Sequence, residues 1–109
     1  MIRGLGIDVI EVGRIEQAMR NPRFLRRILT ETERQAGLNA QSVAGLWAAK
    51  EATAKAIGTH LAWQDVEIYK NGEGAPQPRI LRDVPLGTVH LSISHERGLA
   101  AAVAIWEGE

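Results

Sequence analysis

Residues 43–58 read VAGLWAAKEATAKAIG, and this stretch decides the architecture. Ala, Leu, Lys and Glu are strong helix formers and Gly58 supplies a natural stop, so the segment predicts one long helix from Val43 to Ile57. Leu46, Ala49, Thr53 and Ile57 share one face of it, while Trp47, Glu51 and Lys55, each four apart, share another. Ser42, at the end of the polar connector 38–42, is placed to cap this helix.

Upstream the periodicity changes. Residues 2–10 read as a strand rich in Ile, Leu and Val, with Gly4, Gly6 and Asp8 on one side and Leu5, Ile7 and Val9 on the other. Helical spacing runs from Glu11 to about Met19 and breaks at Asn21-Pro22; a second short helix is expected from Pro22 or Arg23 to Leu29. Thr30 and Glu33 form a capping box that opens a third, ending near Gly37. Downstream, Trp63 to Tyr69 alternates as a strand, residues 71–76 read as a turn, and Arg79 to Arg82 as a short strand. Val89–Ser94 and Leu99–Trp106 form a hairpin through His95-Glu96-Arg97-Gly98. Leu99–Ile105 is apolar on both faces, which predicts a central strand lying between layers. The expectation is an α+β fold in a single domain, 1–109: an N-terminal strand, short helices, one long helix and a largely antiparallel sheet.

With 109 residues, 45% hydrophobic, and 13 basic against 13 acidic side chains, the chain fits one soluble globular domain. A chain of this size encloses no deep cavity alone, so a sizeable site is expected to be shared between subunits. The absence of cysteine excludes a disulfide framework, a thiolate zinc site and cysteine nucleophiles, and the cytoplasm is the expected compartment. MIRGLGIDVI lacks an export signal's long apolar core, and no stretch is long enough to predict a membrane span. Zero net charge argues against a whole-surface polyanion binder. Yet Arg14, Arg20, Arg23, Arg26 and Arg27 against Glu16 give residues 13–27 a local excess of four positive charges. That segment is either a solvated helix face or a docking patch for an acidic partner. A nucleic-acid module is disfavoured, because the strands carry no aromatic platform.

A few polar residues occupy otherwise apolar positions. Asp8, between Ile7 and Val9, needs a partner: it either caps the helix starting near Glu11 or belongs to a site. Glu51 and Lys55 are either a surface ion pair or part of that site, and His95 is either a turn residue or a ligand. Two carboxylates from different elements suit Mg²⁺, which fills its other positions with water and substrate phosphate. A lysine one turn beyond neutralises phosphate charge. No Gly-rich Walker loop or kinase signature is present.

Gly6-Ile7-Asp8-Val9-Ile10-Glu11 with Arg14-Ile15, Phe24-x-x-Arg27-x-Leu29-Thr30-x-x-Glu33, Trp47-Ala48-Ala49-Lys50-Glu51-Ala52-x-Ala54-Lys55-Ala56-x-Gly58-Thr59, Trp63-x-Asp65-Val66-Glu67-Ile68 and His90-Leu91-Ser92-Ile93-Ser94-His95 follow one another in order. Together they resemble the holo-[acyl-carrier-protein] synthase family, the small 4′-phosphopantetheinyl transferases. The resemblance implies transfer of the 4′-phosphopantetheine group of coenzyme A to a serine of apo acyl carrier protein, with release of adenosine 3′,5′-bisphosphate. It also implies Mg²⁺ dependence, a cytoplasmic setting and a homotrimer with sites at subunit interfaces. By the same resemblance Asp8 and Glu51 hold the metal, Lys55 contacts the phosphates, Glu51 is the candidate base, and Gly74, Pro76, Ser94 and His95 line the coenzyme site. Arg14 docks the carrier, helped by Arg20, Arg23 and Arg27. Leu46 stands where the family usually has Arg, and Gly74-Ala75-Pro76 where it has Gly-Lys-Pro. Those departures leave coenzyme A affinity open, and with it the alternative of a carrier-binding paralogue with weak or no transfer.

Overall fold

The computed structural model describes residues 1–36 and 38–108. The chain runs β1 (Ile2–Glu11), α1 (Val12–Ala18), α2 (Phe24–Ile28), α3 (Glu31–Arg34), α4 (Ala40–Ile57), a 3₁₀ turn (Trp63–Asp65), β2 (Val66–Lys70), β3 (Pro76–Ile80), β4 (Thr88–Glu96) and β5 (Leu99–Glu107). The α+β expectation holds, with every strand pairing antiparallel, in a three-stranded sheet ordered β1-β5-β4 and a two-stranded sheet β2-β3. No helix among the described residues is long and apolar enough to cross a membrane.

Several boundaries differ from the sequence expectation, each for a local reason. α4 begins at Ala40 because Asn39 is its N-cap; Ser42 is the reciprocal partner in that capping box rather than the cap. Gly58, at φ 76°, ends the helix in the left-handed conformation as expected. The Thr30–Glu33 capping box is present, but α3 ends at Arg34, and its expected stop at Gly37 lies outside the described residues. Trp63–Asp65 is a 3₁₀ turn, so β2 starts only at Val66. β3 occupies residues 76–80 rather than 79–82, because Pro76 and Pro78 are tolerated on a strand with a single neighbour. His95 and Glu96 belong to β4, leaving Arg97-Gly98 as a two-residue hairpin turn with Gly98 at φ 77°.

α4 packs against one face of the large sheet. Ala100, Ala102, Ala104 and Trp106 of β5 are buried there with Ala44, Ala48, Ala52 and Ala56. β5 is central, as expected, but it does not lie between two layers: its other face is open. On that face Leu5, Ile7 and Val9 are 65%, 62% and 57% exposed, beside half-buried Val103 and Ile105.

Candidate functional site

The glycines of β1 set the site. A Cβ on Gly6 would land on the Ala52 carbonyl oxygen, and one on Gly4 on that of Ala56, so backbone meets backbone where β1 crosses the C-terminal half of α4. Asp8 follows on the same side of the strand, its side chain 16% exposed. Lys55 of α4 reaches across, Nζ donating to the Ile7 carbonyl at 3.0 Å and to Asp8 Oδ1 at 3.4 Å. Asp8 Oδ2 is buried and has no hydrogen-bond partner among the described residues. Asp8 caps nothing, since the N-cap of α1 is Glu11.

Glu51 lies one turn before Lys55, half-buried, lining a cavity of about 230 Å³ with Thr59, His60, Leu61 and Trp63. Among the described residues it makes no ion pair with Lys55, which is drawn to Asp8 instead. The two carboxylates therefore come from different elements with lone pairs unengaged. A buried, orphaned carboxylate oxygen is costly unless something else satisfies it. A hard divalent cation completed by water and substrate phosphate fits that donor set; the protein alone supplies no cluster of three or more ligands among the described residues.

Lys50, read from sequence only as part of a motif, is buried. Its ammonium donates to Glu33 Oε1 at 2.6 Å, to the Ile28 carbonyl at 2.8 Å and to the Trp63 carbonyl at 3.0 Å. Burial pushes its pKa below the usual lysine range, against the hydrogen bond and charge of Glu33 and the more distant charge of Glu67. Glu33 also accepts from the Thr30 and Ile68 amides, while Glu67 takes Thr30 Oγ1 and Arg79.

Beside this core, Phe24 and Trp63 both pack against the Trp47 ring, with centroids at 6.0 and 4.3 Å, seating α2 against α4. Arg14, Arg20, Arg23, Arg26 and Arg27 are all exposed, and none makes an ion pair among the described residues.

The remaining expected site residues lie elsewhere. His95 packs on Gly45, where an added Cβ would stand 2.6 Å from Nε2. Gly45 precedes Lys55 by ten residues, about 15 Å along the helix. His95, Leu46, Tyr69, Lys70, Pro76 and Ile93 help line a largely apolar cavity of about 530 Å³. Gly74, at φ 83°, sits in the β2–β3 turn, which Asn71 Oδ1 organises by accepting from the Glu73 and Ala75 amides. Ser94, alternating with His95 along β4, lies on the opposite, open face of the sheet. The structure thus joins Asp8 directly to Lys55 and places His95 with Pro76, but it holds those two groups apart within one subunit.

The family model of the 4′-phosphopantetheinyl transferase superfamily matches residues 4–104. The chain is 47% identical over 123 residues to a holo-[acyl-carrier-protein] synthase of Solidesulfovibrio magneticus, covering 99% of this chain and 100% of that one. To the protein of the same name from Oceanobacillus iheyensis it is 42% identical, with 98% of each covered. The fold superposes on the crystal structure of a holo-(acyl-carrier-protein) synthase from Bacillus anthracis in complex with CoA (3′,5′-ADP), with TM-score 0.89, 39% identity, and 100% and 99% of the chains covered. It also matches the Helicobacter pylori holo-[acyl-carrier-protein] synthase in complex with coenzyme A, with TM-score 0.82, 28% identity, and 94% and 99% coverage.

Proposed function

The chain belongs to the 4′-phosphopantetheinyl transferase superfamily, and from that premise we propose that it moves the 4′-phosphopantetheine arm of coenzyme A onto a serine of apo acyl carrier protein as a Mg²⁺-dependent enzyme of the cytoplasm, one transferase domain over residues 1–109. The observation that carries the site assignment is the buried, unpartnered Asp8 Oδ2 beside the Lys55 ammonium.

The serine oxygen bonds to the phosphorus bearing pantetheine, the diphosphate bridge breaks at that phosphorus, and adenosine 3′,5′-bisphosphate leaves. Glu51 accepts the serine proton, directly or through a water. Lys55, half-exposed and tied to Asp8 by one long contact, donates to the diphosphate oxygens. Asp8 and Glu51 would hold Mg²⁺, which would supply charge neutralisation on the diphosphate. His95 and Pro76, with Gly74 on the adjoining turn, receive the nucleotide end of coenzyme A, and Ser94 approaches it from the other face of β4. Intact-mass analysis tests the reading: with coenzyme A, Mg²⁺ and an apo carrier, the carrier gains one phosphopantetheine. A carrier of unchanged mass overturns it.

The chain works as a homotrimer. Leu5, Ile7, Val9, Val103 and Ile105 make an open apolar sheet face that assembly covers. A neighbouring subunit also brings a His95 group to an Asp8–Lys55 group, closing the separation found within one chain. Sedimentation at micromolar concentration is expected to give the mass of about three chains, and Val103→Asp is expected to dissociate them and lose transfer together. A monomer with full activity would sink the shared site.

The exposed arginines of α1, α2 and the turn between them, unpaired among the described residues, dock the acidic carrier, Arg14 foremost with Arg20, Arg23 and Arg27. Reversing Arg14 to Glu is expected to raise the carrier KM about tenfold or more and leave the coenzyme A KM nearly unchanged, with added salt weakening the parent more than the variant. Equal losses toward both substrates would instead make Arg14 a support for β1.

A further inference from the structure

The Lys50 ammonium has three donors and three acceptors, one each from the end of α2 (Ile28), α3 (Glu33) and the 3₁₀ turn (Trp63). Side-chain exposure is 2% for Lys50 and 1% for Glu33, so this ammonium does not turn out to meet substrate. A buried ion pair is a weak source of stability, because desolvating both charges offsets their attraction. What it adds here is a single geometry. Ile28 follows Arg26 and Arg27 directly, and Glu51 follows Lys50, so one buried side chain connects the arginine face of α2 to the helical turn bearing the candidate base.

Resting on the transferase reading above, we propose that Lys50 is a positioning residue that sets the span between the carrier-docking face of α2 and Glu51, so that a docked carrier presents its serine at the right depth. It touches no substrate. Its loss misplaces two otherwise intact surfaces, and misplacement of reacting groups by about 1 Å costs up to about a hundredfold in rate.

The test is Lys50→Met combined with Glu33→Gln, which removes both charges together, alongside Lys50→Cys. The chain has no cysteine of its own, so the single thiol that Lys50→Cys introduces, alkylated by 2-bromoethylamine in denaturant before refolding, regains a lysine-length ammonium as the thiolate displaces bromide. All are assayed as folded assemblies well below their melting temperatures. The expected result is a kcat at least tenfold below the parent in the double variant and in untreated Lys50→Cys, with KM for coenzyme A within about twofold, and recovery of most kcat on aminoethylation. A folded variant with parental kcat overturns the proposal, as does a parallel loss of kcat and coenzyme A binding, which would mean a collapsed site. Failure of aminoethylation to restore rate in a protein that has refolded overturns it too. If the double variant does not fold, the treated and untreated Lys50→Cys proteins decide by the same readouts. A parent that transfers nothing overturns the transferase reading itself, and this proposal with it.

Discussion

Asp8→Ala and Glu51→Ala are each expected to lower transfer on the order of a thousandfold while the protein stays folded. Each removes one of two carboxylates assigned to the cation, and neither is otherwise built into the fold. Among the described residues Asp8 Oδ2 bonds to nothing and Oδ1 has only the long Lys55 contact, so deleting the group relieves a buried acceptor and costs a weak, half-exposed ion pair. The melting temperature of Asp8→Ala should therefore equal or exceed the parent's. EDTA should abolish turnover yet shift the parent's melting curve little, because two carboxylates alone would hold the cation weakly until substrate phosphate completes its ligands. Wild-type turnover by either variant with Mg²⁺ would show the metal assignment wrong.

Gly6→Ala should do the reverse, damaging the fold first. The new methyl meets the Ala52 backbone oxygen, an obstacle that cannot rotate away, so α4 must lift off β1. The cost should reach on the order of 3 kcal/mol or more, a large part of the stability of a domain this size. Urea unfolding measures it, and a midpoint matching the parent would mean that the strand yields more easily than the packing implies. Any folded remnant should also transfer poorly, since the same displacement parts Lys55 from Asp8.

Much of this was legible in the residues. The helix-forming run ending at Gly58, the Thr30–Glu33 box and the small residues of β5 each announced their element through local chemistry. Asp8 was legible as a charged residue in an apolar strand that needed explaining. What stayed hidden depended on contacts between distant segments. Lys50 sits beside Glu51 and reads like any surface lysine; only the arrival of Ile28, Glu33 and Trp63 from elsewhere makes it interior. Its one sequence signal was the alanines on either side, Ala48, Ala49 and Ala52, which leave room for close packing but do not say against what. β3 was expected only from Arg79 because sequence does not reveal which strand has one neighbour and so tolerates Pro76 and Pro78. Likewise Ser94 and His95 are adjacent in the chain, yet the pleat sends them to opposite faces.

The pairing of β1 with β5 also governs how the protein can be made. Ile2 finds its partner in Glu107, and Glu11 in Leu99. β1 thus leaves the ribosome well before its partner β5, by roughly 5 to 20 s at translation rates of about 5–20 residues per second. The local helices can form meanwhile, but Leu5, Ile7 and Val9 remain unpaired and apolar throughout, a natural target for a holdase chaperone. Since β5 is the middle strand of its sheet, a stop codon just before Leu99 strands both β1 and β4. Late truncations should therefore be as destructive as early ones.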